Sequence, residues 1–115
     1  MRTFVAEGNA ITVVTPVGGF VSGKGYVVDN LFGIAIKTTV EGENNELYTS
    51  GVYSLPGEGT PFKTAYFDAD LGEVTDTSDT GLFKIGLIVG IGTDSVEVRL
   101  NGTDVEAVAA PTSPD

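Results

Sequence analysis

The sequence predicts an all-β domain, a small compact β-barrel or sandwich of about eight or nine short strands with at most one short helical turn. Three observations carry this. Sixteen glycines occur in 115 residues, about twice what an average usage near 7% supplies. Between them lie short runs of Val, Ile, Phe and Tyr, bounded by turn residues at roughly ten-residue spacing. No long amphipathic helix, sequence repeat or interdomain linker breaks the pattern.

Residues 3–7 read as an extended arm or an edge strand. Ile11–Thr15 is β-branched throughout, and Pro16 closes it because proline cannot donate to a ladder. The segment Gly18–Gly23 is turn-rich. Tyr26–Asp29 is a short strand ending in the turn pair Asp29-Asn30. Phe32–Thr39 alternates with period two, the mark of a half-buried strand. Glu41–Glu46 reads as a polar turn, and Leu47–Leu55 as one further strand with a bulge at Gly51. Pro56–Pro61 is a loop, and the helical turn is expected at Phe62–Tyr66.

Ala65–Asp68 and Glu73–Thr75 flank the turn Ala69–Gly72 as a hairpin, and Asp76–Gly81 is a solvated loop. Leu82–Gly92 puts Ile85, Leu87, Val89 and Ile91 on one face, and Lys84, Gly86, Ile88 and Gly90 on the other. Thr93-Asp94 turns the chain. Ser95–Asn101 then alternates with Val96, Val98 and Leu100 inward. The organisation expected is an N-terminal arm or edge strand over 1–8, a domain over 9–103 and a flexible tail over 104–115.

Composition narrows the chemistry. Sixteen acidic residues oppose six basic ones, giving a net charge of -10. Such a surface repels phosphate backbones and anionic membranes. The sequence contains no Cys and no His, so disulfides, thiolate metal sites and the commonest general base are all missing. No signal peptide or transmembrane span is read. The expectation is no enzymatic activity, no cofactor, no metal and no small-molecule substrate.

The motifs that resemble reactive sites read as turns. Gly18–Gly25 satisfies G-x-x-x-x-G-K, but Gly25 stands where Ser or Thr should hold Mg²⁺, and a strand follows where a helix is required. Asp68-Ala69-Asp70-Leu71-Gly72-Glu73 looks like a calcium loop without the flanking helices or the twelfth-position Glu. Glu41, Glu43 and Glu46 cluster in one polar loop without the groove that glycoside hydrolysis needs. Phe20, an aromatic on a glycine-rich loop, is a candidate interface anchor.

The chain as a whole resembles the small capsid cement (head decoration) proteins of tailed bacteriophages. The resemblance runs from about Phe4 to Gly102. It is carried by Glu7-Gly8, Ile11-Thr12-Val13, Pro16-Val17-Gly18-Gly19, Val21-Ser22-Gly23, Leu31-Phe32-Gly33-Ile34-Ala35 and Gly51-Val52-Tyr53-Ser54-Leu55. It continues through Ala65-Tyr66-Phe67-Asp68, Gly72-Glu73-Val74-Thr75 and Val96–Gly102. The departures are Lys24-Gly25 after Gly23 and the tail after Asn101.

The resemblance implies a β-rich homotrimer, made in the bacterial cytoplasm and seated on the outer capsid surface. There it would bind the major capsid protein and stabilise the expanded head against internal DNA pressure. The arm residues Arg2, Thr3, Phe4, Val5 and Ala6 are the expected capsid-binding segment. Phe20, Leu31 and Phe32 are the expected trimer contacts. The alternative is a small β-barrel module recognising a glycan or another virion component.

Overall fold

The structure, a computed structural model, describes residues 10–102 and 104–109. Among these residues there are nine strands and no helix: β1 Ala10–Val14, β2 Gly25–Val28, β3 Leu31–Ala35, β4 Asn44–Tyr48, β5 Ser50–Pro56, β6 Thr64–Asp68, β7 Glu73–Thr75, β8 Phe83–Gly92 and β9 Ser95–Asn101. They form two antiparallel sheets, a four-stranded one in the order β1-β4-β3-β2 and a five-stranded one in the order β5-β9-β8-β6-β7. The two edges of the larger sheet touch at a single parallel bridge, Gly57↔Val74. Glu58 N donates there to Val74 O at 3.0 Å. The sheet therefore curls toward a barrel without closing.

Local chemistry explains the hairpins. Val28 pairs with Leu31 across Asp29-Asn30, where Asp29 adopts φ 52°, a left-handed conformation that short polar side chains tolerate. Gly92 pairs with Ser95 across Thr93-Asp94 in the same way. β9 follows the expected alternation, with Val96, Val98 and Leu100 buried between exposed Glu97, Arg99 and Asn101.

Other elements differ from the sequence reading. β3 ends at Ala35 and is buried on both faces, because residues 16–24 fold over its far side. Phe32 and Ile34 enter the larger core with Leu55, Phe67, Ile85 and Ile88. Ala35 enters a smaller core with Phe20 and Leu47. The polar turn is shorter than Glu41–Glu46, since Asn44 already opens β4. The single strand over Leu47–Leu55 is two, divided at Thr49, where the chain passes from one sheet to the other. Gly51, with φ 109°, follows this corner, and the β5–β9 register runs through it without a bulge.

The helical turn expected at Phe62–Tyr66 is absent because that segment bonds to β8. Phe62 N donates to Ile88 O at 2.6 Å, and Ile88 N donates to Lys63 O at 2.9 Å. In β8 the buried residues are Ile85 and Ile88, while Leu87 and Ile91 are exposed. Two irregularities reset the alternation. Ile85 is skipped in the pairing with β6, and Val89 in the pairing with β9. Each extra residue turns the following side chains over.

Residues 104–109, assigned by sequence to the tail, lie against the body. Val105 is 3% exposed and belongs to the larger core. Its N–H donates to Asn30 O, and Asn30 Nδ2 donates back to Val105 O, both at 2.8 Å. Val108 bonds to the start of β8 through Gly81 and Leu82. The arm residues 1–8 and the last residues of the tail, 110–115, lie outside the described residues.

Candidate functional site

The segments that resembled reactive motifs are occupied with building turns. In the Gly18–Gly25 loop the donors are turned inward. Gly19 N bonds to Pro16 O, Phe20 N to Thr39 O, Gly23 N to Ala35 O and Lys24 N to Val21 O. Val21 N bonds to the Tyr26 hydroxyl at 2.8 Å and Ser22 N to Thr38 Oγ1 at 3.1 Å. With its N–H groups from 19 to 24 spent this way, the loop has no cradle for phosphate.

Asp68 Oδ1 accepts from Asp70 N at 2.9 Å and Leu71 N at 3.1 Å, which makes it the hinge of its own turn. Glu43 Oε1 accepts from Val40 N at 2.9 Å. Asp76 Oδ2 accepts from Thr60 N at 3.0 Å. Among the described residues no group of three or more His, Cys, Asp or Glu could hold a metal ion.

A cleft of about 530 Å³ lies between β2 and the β6–β7 turn, lined by Lys24, Tyr26, Phe67, Asp70, Leu71 and Glu73 among others. Its titratable groups are carboxylates, a lysine and a tyrosine, with no activated nucleophile beside them. At the sheet corner Tyr48 and Tyr53 stack at 6.4 Å. Burial lifts the Tyr53 phenol above its ordinary range, and neighbouring Tyr48 pushes in the same direction. Its hydroxyl donates to Ser50 O at 2.8 Å.

The surfaces are more informative. β1 is an edge strand. Thr15 N bonds inward to Glu43 O at 2.8 Å, and the groups of successive residues alternate in direction. The N–H and C=O of Ala10, Thr12 and Val14 therefore face away from β4, on the side where no described strand pairs with β1. Natural edges are commonly blunted with charge, proline or bulges. The five residues AITVV carry none of these.

The end of this edge is braced from beneath. Buried Thr15, Thr39 and Asn45 form a polar network that sequence reading missed. Thr15 Oγ1 donates to Glu43 O at 2.7 Å, so in the 2.7 Å Thr15–Thr39 contact the proton comes from Thr39. Thr39 Oγ1 in turn accepts from Asn45 Nδ2 at 3.0 Å. Asn45 Nδ2 also donates to Lys37 O at 2.7 Å. Thr and Asn are ordinary strand and turn residues, so no local signal marked the three as partners.

Of the residues singled out from sequence, Arg2, Thr3, Phe4, Val5 and Ala6 lie outside the described residues. Phe20 and Phe32 are 2% and 4% exposed. Phe20 packs on Tyr26 at 4.6 Å and Phe32 on Phe67 at 4.8 Å. Their side chains are thus committed to the protomer's own interior, and to different clusters of it. Leu31 is half-buried and keeps area to offer a neighbour.

A family model for phage cement proteins matches residues 5–111. No curated protein and no solved structure matches the chain.

Proposed function

The chain belongs to the phage cement protein family, a premise from which we propose that it rivets the expanded head as a homotrimer on the outer capsid surface. It is a structural protein of the phage capsid. In the proposed reading its partner is the major capsid protein, and its effect is to hold neighbouring subunits together against the outward pressure of packaged DNA. It acts through shape and multiplicity, without enzymatic chemistry.

The observation that carries this reading is the edge strand β1, unpaired on its outer side among the described residues and preceded in sequence by the arm. An arm containing Thr3-Phe4-Val5 suits strand addition, in which main-chain bonds supply affinity and alternate side chains supply specificity. Three arms on one trimer need not bind tightly one by one. A contact with Kd near 1 mM is worth about -4 kcal/mol, and linking several at millimolar effective concentration raises avidity roughly 10²–10⁴-fold.

Deleting residues 2–6 tests the arm. Electron microscopy of expanded, undecorated heads mixed with the truncated chain should show empty seats, while light scattering should show the oligomer unchanged. Full occupancy by the truncated chain would reject the arm as the capsid-binding segment.

A further inference from the structure

Two of the basic residues of this acidic chain line one groove whose lining holds no carboxylate. On the outer face of the five-stranded sheet, Val52, Arg99, Leu87 and Thr64 form one continuous cross-strand row. Val52 is 55% exposed and Leu87 38%. Lys84 joins Leu87 and Arg99 around a groove of about 380 Å³ over Gly86. Lys63 precedes Thr64 and bonds to β8, and beside it Phe62 is 77% exposed with φ 71°. Two of the chain's six basic residues, Lys84 and Arg99, thus share this groove with Leu87. Glu97 lies in the neighbouring row, and Asp104 and Glu106 line a second cleft with Lys84.

The opposite character occurs at the braced end of the four-stranded sheet. Val14, Val17 and Val40 are 63%, 82% and 67% exposed. They sit on segments tied together by the Thr15–Glu43 and Gly42–Thr15 bonds. Around them are exposed Glu41, Glu43 and Glu46, against Lys37 alone. The buried threonine and asparagine network beneath holds this end in one shape.

We propose that these two surfaces meet between copies of the chain. The occupant of the basic, apolar face on β5, β9 and β8 is the acidic, valine-rich end of a second copy. The two patches lie on different sheets of one protomer, so the contact is heterologous, and such contacts close into rings when the rotation permits. Opposite charge steers the encounter and fixes its register, while the valines and Leu87 supply apolar area. A net charge of -10 on each chain opposes association generally, so only a contact that pairs the cations with the carboxylates escapes that repulsion. This contact rests on the proposed oligomer and gives it an interface.

Charge reversal in two halves tests the pairing on the full chain. Lys84→Glu with Arg99→Glu reverses one surface, and Glu41→Lys with Glu46→Lys reverses the other. Glu43 is left alone because it holds its turn. Sedimentation of the wild type should show mass rising with concentration above the 11.9 kDa protomer. Each double variant alone should associate at least about 10-fold more weakly, the factor for a loss near 1.4 kcal/mol. An equimolar mixture of the two should recover association, since each then presents a complementary surface to the other. Unchanged thermal unfolding of the variants separates lost association from lost folding.

Association of either variant at wild-type strength, or a mixture no stronger than its components, overturns the contact. Head occupancy measured in parallel keeps the two readings apart. A wild type that decorates heads as single protomers overturns the contact together with the trimer and leaves only the seat on the capsid standing. A wild type that self-associates through these surfaces and ignores heads does the reverse.

Discussion

Glycine at position 86 shows how a single residue sets geometry here. A Cβ on Gly86 would lie 2.0 Å from Arg99 O, a backbone atom that cannot swing aside. Gly86→Ala should therefore cost about 1–3 kcal/mol, the range for overpacking. That would lower Tm by about 4–8 °C per kcal/mol, read by circular dichroism. An unchanged melting curve would mean that β8 and β9 separate more freely than their pairing implies. Tyr53 sets a pH limit. Its folded pKa is raised by burial first and by Tyr48 second, so the neutral phenol stabilises the fold. That contribution is complete below the unfolded value near 10 and is lost as pH rises through the folded one. Tyr53→Phe should remove about 0.5–1.5 kcal/mol through the lost bond to Ser50 O. It should also flatten the alkaline fall in stability, measured by urea unfolding at stepped pH.

Among the elements, those with an uninterrupted period of two were legible in advance. β9 and the β6–β7 hairpin needed only alternation and turn residues. β8 was found but misphased, because nothing in Phe83–Gly92 announces that Ile85 and Val89 are each passed over in one ladder. The division at Thr49 was equally silent, since Leu47–Leu55 is uniformly strand-forming and the change of sheet is dictated by partners distant in sequence. Phe20 looked available because it sits on a glycine-rich loop, yet the loop before β2 folds back and encloses it, and Phe32 is buried in the larger core. The braced end of β1 is the element most open to a direct test. Thr39→Val removes the proton given to Thr15 and an acceptor of Asn45, leaving buried polar groups short of partners. The loss should be about 1–3 kcal/mol, seen as a lower urea midpoint at unchanged slope. A midpoint equal to wild type would show that solvent compensates and that the end is not braced by this network.

For the whole molecule, composition and glycine spacing announced an all-β module, and the order of weak motifs announced the family. What could not be read was the distribution of charge over the folded surface. Lys84 and Arg99 are far apart along the chain and become neighbours only through the β8-β9 pairing. The topology carries one more consequence. β9, the last in chain order of the nine described strands, is an interior strand of the larger sheet, between β5 and β8, and the strip around Val105 is pinned to the β2–β3 turn. Without β9, β5 lacks its ladder partner and is cut off from β8, β6 and β7. Long-range pairings of this kind are also intrinsically slow to form. A polypeptide cut before Ser95 should therefore leave β5 and one side of β8 without ladder partners and open to proteases.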